Sequence, residues 1–165
     1  MKKLLLLLPL FLFTGFSLQE ECFPMLMTRS ELEVSVQLTH TAMPLTRPGK
    51  ICLYQNWIFL VEKYKGIHLI DNTNPANPVR KDFLKVPGCI DVAVRNNILY
   101  VDNAVDLVAV RLDPEKLTAT VVSRRAYALP EIESPYGYIP NEYSRAKRPA
   151  NTEIVGWIST LDDQI

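Results

Sequence analysis

The stretches "NWIFLVEKYKGIHLID" (56–71) and "NILYVDNAVDLVAVRLD" (97–113) share one plan. Each begins with Asn, runs through an apolar and aromatic strand, turns through a few polar or small residues, and resumes in an alternating strand ending in Asp. Phe59 and Tyr100 are 41 positions apart and Asp71 and Asp113 are 42 apart, so the second copy has gained one residue. The flanks repeat as well. "KICLYQ" (50–55) precedes the first copy and "CIDVAVR" (89–95) the second; "VRKDFLKV" (79–86) follows the first and "LTATVVS" (117–123) the second. Each unit therefore reads as four short strands joined by tight turns, and a period of about forty residues with four strands is the signature of a β-propeller blade. The predicted fold is all-β: a partial β-propeller of about two four-stranded blades over residues 50–123, with an incomplete third in 124–165. A closed ring needs four or more blades, so open strand edges and an uncovered sheet face are expected.

The polar connection after Asp71, "NTNPANP" (72–78), decides between a turn and a metal-binding loop. Asn and Asp bond their own local backbone, while Pro75 and Pro78 fix φ and cannot donate to a ladder. A calcium loop wants oxygen ligands at alternate positions and a closing Glu; here Pro75 interrupts the series and no Glu follows, so the stretch reads as a turn. "LDPEK" (112–116) does the same work in the second copy.

The first residues, "MKKLLLLLPLFLFTGFS" (1–17), carry Lys2 and Lys3, an apolar core from Leu4 to Phe13 and small residues at Gly15 and Ser17. That is the pattern of a secretory signal peptide, too short in its apolar part for the roughly twenty residues of a transmembrane helix. Cleavage after Ser17 leaves a segment 18–49 leading into the repeats. A lipoprotein signal ends in a Cys, and Phe16 stands where that Cys belongs, so membrane anchoring through a lipid is disfavoured; Cys22 lies further on, behind Glu21. The expected location is periplasmic or cell envelope. Removing two lysines from a chain of 18 basic and 18 acidic residues leaves 16 minus 18, a net −2, with no basic face for nucleic acid. Cys22, Cys52 and Cys89 match no metal knuckle or redox spacing, and Cys52 and Cys89 read as buried small hydrophobes in preference to a bridge.

Chemistry-bearing residues are few. His68 alternates with Ile67 and Leu69 in a strand and reads as a hydrogen-bonded structural histidine, and His40 lies in "LTHTAMP" far from any nucleophile elbow. Asp71, Asp91, Asp102 and Asp106 fall at strand ends and are the candidate ligand-face residues; the competing reading is turn chemistry and backbone capping. No cofactor is expected, since no phosphate-cradling glycine motif is present. The segment 127–151 holds four Pro and four Tyr and reads as a long loop docked on the sheets, followed by a strand, "TEIVGWIST" (152–160), that would begin the next blade and whose partner strands are missing.

"PGKI" (48–51), "KGIHLIDNTNPANP" (65–78), "PGCIDVAV" (87–94) and "LYVDNAVDLVAV" (99–110), in this order, resemble the LVIVD-repeat family of exported bacterial proteins found especially in Bacteroidetes, over roughly residues 23–112. The resemblance implies an envelope β-propeller of unknown activity, supplies no catalytic residues, and marks this chain as apparently truncated. The leading expectation is a non-enzymatic protein that binds or scaffolds an envelope protein or glycan. The alternatives are a hydrolase or lyase built on the strand-end aspartates, and a structural protein self-associating through open sheet edges.

Overall fold

The computed structural model describes residues 21–113 and 118–160. The signal-peptide reading of 1–17, with Phe16, and most of the turn in "LDPEK" lie outside the described residues. The chain opens with β1 (Cys22–Thr28), a single helical turn α1 (Arg29–Glu33) and a three-residue β2 (Gln37–Thr39). Thr28 caps α1: its hydroxyl accepts from the Glu31 N–H, and the Glu31 carboxylate accepts from the Thr28 N–H, so two unpaired donors are satisfied reciprocally.

Two meanders follow. The first comprises β3 (Pro48–Tyr54), β4 (Trp57–Glu62), β5 (Gly66–Asp71) and β6 (Val79–Lys85). The second comprises β7 (Val92–Arg95), β8 (Ile98–Asn103), β9 (Asp106–Asp113) and β10 (Thr118–Arg125). These are the two four-stranded units expected from the repeat. The first gains a fifth strand unforeseen in the sequence, β2 pairing with β6, to give the order β2-β6-β5-β4-β3. Their hairpin turns use matching chemistry. Asn96 and Asn97 take φ of 52° and 60° between the paired Arg95 and Ile98, and Gln55, 41 positions before Asn96, also takes φ 52°.

The connection 72–78 is a turn built as the sequence suggested. Asp71 Oδ1 accepts from the Thr73 N–H at 2.9 Å and Asn74 Oδ1 from the Ala76 N–H at 3.2 Å, so both side chains are spent on local backbone.

The final strand, β11 (Thr152–Ser159), corrects the expectation that its partner strands are missing. It pairs antiparallel with β1 along its whole length, from Cys22 opposite Ser159 to Thr28 opposite Thr152, forming a separate two-stranded sheet from the two ends of the described chain. All three sheets are antiparallel and none closes on itself.

Two cores hold the sheets together. Because side chains alternate along a strand, Phe59, Val61, Ile67, Leu69 and Leu84 point from the first sheet toward Val92, Leu99, Val101, Val108 and Val110 of the second. The second core joins β11 to the helix, the loop and the meanders through Leu32, Ala104, Ile132, Ile154 and Trp157, with Tyr64 packed against it. The loop 127–151 is docked: the Trp157 indole N–H donates to the Ile132 carbonyl at 2.9 Å, and Arg148 is buried. Among the described residues, no helix is long and apolar enough to cross a membrane.

Candidate functional site

Each meander turns between its second and third strands at the same end of the molecule. There the chain is stitched across units. The Gly88 N–H donates to the Tyr64 carbonyl at 3.0 Å, and the Leu129 N–H donates to the Val105 carbonyl at 3.0 Å; donor and acceptor both advance by 41 residues. Gly88 is at φ 80°, and a Cβ there would stand 2.5 Å from the Ala104 nitrogen, so the approach requires glycine.

The last residue of each second strand is a buried polar group that fixes the segment around a Pro-Gly pair. Glu62 accepts from the Thr46 N–H at 3.1 Å, the Thr46 hydroxyl at 2.5 Å and the Arg47 N–H at 2.5 Å, just before Pro48 and Gly49. Asn103, 41 positions later, donates to the carbonyl of Pro87, beside Gly88, at 2.7 Å. Burial pushes the Glu62 carboxyl up, but the Thr46, Arg47 and His68 donors outweigh it and hold the group below the usual carboxylate range. His68 Nε2 lies 3.1 Å from Glu62 Oε2, and both side chains are buried. The carboxylate sits between the Thr46 hydroxyl and the imidazole, so His68 does not reach that hydroxyl as a base. This is the structural histidine expected from its strand position.

The four candidate aspartates do not meet as one group. Asp71 lies at the opposite end, opposite Trp57 in the ladder and beside the β3–β4 turn. Between the sheets near that end lies a narrow apolar gap of about 20 Å³. Asp91 and Asp102 are neighbours: the Asp91 N–H donates to Asp102 Oδ2 at 3.0 Å, and Lys50 Nζ is 2.5 Å from Asp91 Oδ1. Burial pushes the half-buried Asp102 carboxyl up and outweighs the Asp91 N–H bond that favours its charged form, while burial also pushes the neighbouring Cys89 thiol far above its ordinary value. All three cysteines are free.

Asp106 is different. It is fully buried and held by Arg29 through two bonds of 2.8 and 2.6 Å, by Arg124 at 2.6 Å and by the Tyr127 N–H at 3.1 Å. Arg29 also stacks over the Tyr127 ring at 5.0 Å, and Arg145 stacks over the same ring at 5.5 Å. Arg145 leads into a second network, in which Glu131 and Glu153 are shared with the buried Arg148. Neither network was foreseen, because its members come from β1's helix, β10, the docked loop and β11. Among the described residues, no three His, Cys, Asp or Glu side chains gather as a metal site.

The open space at this end lies around the turn Lys63-Tyr64-Lys65. Tyr64 adopts φ 66°, a left-handed conformation that is costly for a bulky residue, and is held there by its carbonyl bond from Gly88 and its own N–H bond to the Cys89 carbonyl at 2.8 Å. On one side is a cleft of about 430 Å³ that includes Asp102, Glu131 and Glu133. On the other is a cleft of about 640 Å³ with Arg47, Lys63 and Lys65 at its rim and Met25, Leu45, Val155 and Ile158 along its walls. The sequence held one signal for this place: the turn "KYK" (63–65) carries two lysines where the second repeat has only "AV" (104–105).

Comparison with family models, with curated proteins and with solved structures finds no match to this chain.

Proposed function

We propose that the protein is a non-enzymatic binding module of the cell envelope, built as an incomplete β-propeller whose loop end, around Lys63 and Tyr64, receives the partner. The observation that carries this reading is the engagement of the reactive groups. Asp106 and Glu62 are spent on structural donors, whereas the clefts beside Tyr64 are open. The propeller reading is supported by the stitch that recurs at 41 residues, and on this reading Leu129 begins a third, incomplete unit to which β11 and β1 belong. Export, and a protein or glycan partner in the envelope, rest on the amino-terminal pattern and the LVIVD resemblance.

The test is expression of the full chain in a Gram-negative host, followed by fractionation, mass measurement and cosedimentation with washed envelopes. The expected result is a periplasmic chain beginning at Leu18 that binds envelopes saturably and turns over no ester or glycoside. Retention of residues 1–17 in the cytoplasm removes the export reading. One observation favours a hydrolase or lyase instead, namely the adjacent Asp91 and Asp102 with the latter's carboxyl raised by burial. Turnover abolished by Asp102→Asn establishes that alternative.

A further inference from the structure

The larger cleft has a chemistry of its own. Its rim carries the ammonium groups of Lys63 and Lys65 beside Arg47, and among the described residues no carboxylate lines it. Among the described residues, neither Lys63 nor Lys65 has a carboxylate partner: the Lys63 ammonium sits 6.0 Å from the centre of the Tyr64 ring, and Lys65 Nζ donates to the Thr46 hydroxyl at 3.0 Å. Glu62, behind Thr46, is buried and turns its oxygens to backbone N–H groups and His68. The walls are apolar and come from three parts of the chain. Met25 and Ile158 belong to β1 and β11, and Leu45 to the segment that crosses toward β3.

We infer that this cleft binds a single-chain anionic amphiphile, a molecule with one acidic head and an unbranched apolar body such as a fatty carboxylate. The head group meets Lys63 and Lys65, with the Thr46 hydroxyl beside them, and the apolar body lies along Met25, Leu45, Val155 and Ile158. Charge complementarity selects the head: two ammonium groups without carboxylate partners at the rim of a low-dielectric cleft favour an anion over a neutral polar group. Apolar walls select the body, and a volume of about 640 Å³ falls within the range of small-molecule sites. The cleft is concave between a turn and a two-stranded sheet, which suits one chain entering rather than a flat bilayer lying across it. This inference goes beyond the protein or glycan partner proposed above and rests on that reading for the loop end as a binding site.

The test is calorimetric titration of the full chain with monomeric decanoate, decanol and acetate, and of Lys63→Gln/Lys65→Gln with decanoate. Lys81→Gln/Arg95→Gln, at the opposite end, is the charge-matched control. The expected result is one decanoate per chain, at least tenfold weaker binding of decanol and acetate, at least tenfold weaker decanoate binding in the Lys63/Lys65 variant, and no change in the control. Circular dichroism confirms that both variants remain folded. Equal binding of decanol, an unchanged Lys63/Lys65 variant, or many ligands per chain overturns the inference. So does binding that appears only with anionic phospholipid vesicles. Saturable sedimentation with envelopes in the absence of decanoate binding overturns the cleft assignment and leaves the broader binding reading standing.

Discussion

Asp106 shows how a strand-end carboxylate becomes structural. "NAVDLV" presents it as the first residue of a strand, which fits a ligand face as well as a cap. Its partners lie 77 and 18 residues away, at Arg29 and Arg124, and nothing in the local pattern points to them. Burial alone pushes its carboxyl up; the bonds from Arg29 and Arg124 and the Tyr127 N–H outweigh that and leave it below its usual value. Asp106→Asn removes the charge between two largely buried guanidinium groups and leaves Arg29 with Glu33 and Arg124 with the Leu32 and Glu33 carbonyls, so the expected loss is toward the low end of about 3–5 kcal/mol, read by urea unfolding at neutral pH. A loss within error of zero would show that the Arg29–Asp106–Arg124 network contributes nothing to stability. The pH dependence follows in sign. A carboxyl depressed in the folded state contributes stability that is fully present above its unfolded value, near about 3.9, and is lost as pH falls through the lower folded value. Glu62 and Glu131 are depressed as well, so the wild-type chain loses stability steeply below about pH 4. Asp106→Asn has a shallower acid slope, measurable by unfolding at a series of pH values.

The strands of each meander were legible because their partners are neighbours in sequence and their turns use Asn or a short polar pair. The β1–β11 sheet was not. "TEIVGWIST" reads as a strand, but its partner lies at the other end of the described chain, and no alternation in "CFPMLMT" singles it out. The three-residue β2 is too short for periodicity to register, and the capping box of Thr28 and Glu31 before α1 was visible but precedes only one helical turn. The position that locks the terminal sheet to the meanders is Gly156. A Cβ there would stand 2.6 Å from Tyr64 Cγ, 2.8 Å from Tyr64 Cβ and 2.5 Å from Met25 Cε. Met25 can swing away, but Tyr64 is pinned by two backbone bonds in its left-handed turn. Gly156→Ala therefore costs about 1–3 kcal/mol, as overpacking does elsewhere. Hydrogen exchange should show the loss first in β1 and β11, with the facing cores of the two meanders still protected. Uniform protection at wild-type stability would mean that Tyr64 retreats freely.

Three open sheets leave surfaces that a closed one would bury. The first sheet covers one face with the second sheet; its other face is covered only in part by the segment 40–47, through His40 to Asp82 and Arg80 to the Met43 carbonyl. On that face Ile51 and Leu53 are 61% and 69% exposed, and they stand opposite Leu60 and Ile58 in the ladder, with Ile70 alongside. The open edges and the uncovered face were legible from the arithmetic of the repeat. Which charged groups would share an end was only partly so: Asp71 is separated from Asp91 and Asp102 by the length of the sheet, since strand ends alternate between the two ends of a meander. The cationic cleft escaped notice because Lys63 and Lys65 read as turn residues until β11 was placed beside them. An apolar ladder of this kind on an edge strand is a site for pairing with another chain. The expected behaviour is concentration-dependent self-association, with the weight-average mass in sedimentation velocity rising above the monomer as concentration increases. Ile51→Lys/Leu53→Lys puts two charges on the exposed face, where substitutions change stability by less than about 0.5 kcal/mol each. The variant should then remain a monomer across the same range while unfolding at nearly the same urea concentration. A wild-type chain that stays monomeric throughout removes self-association, and a variant that still associates moves the contact to another edge, with β10 and its exposed Val121 and Val122 the next surface to charge.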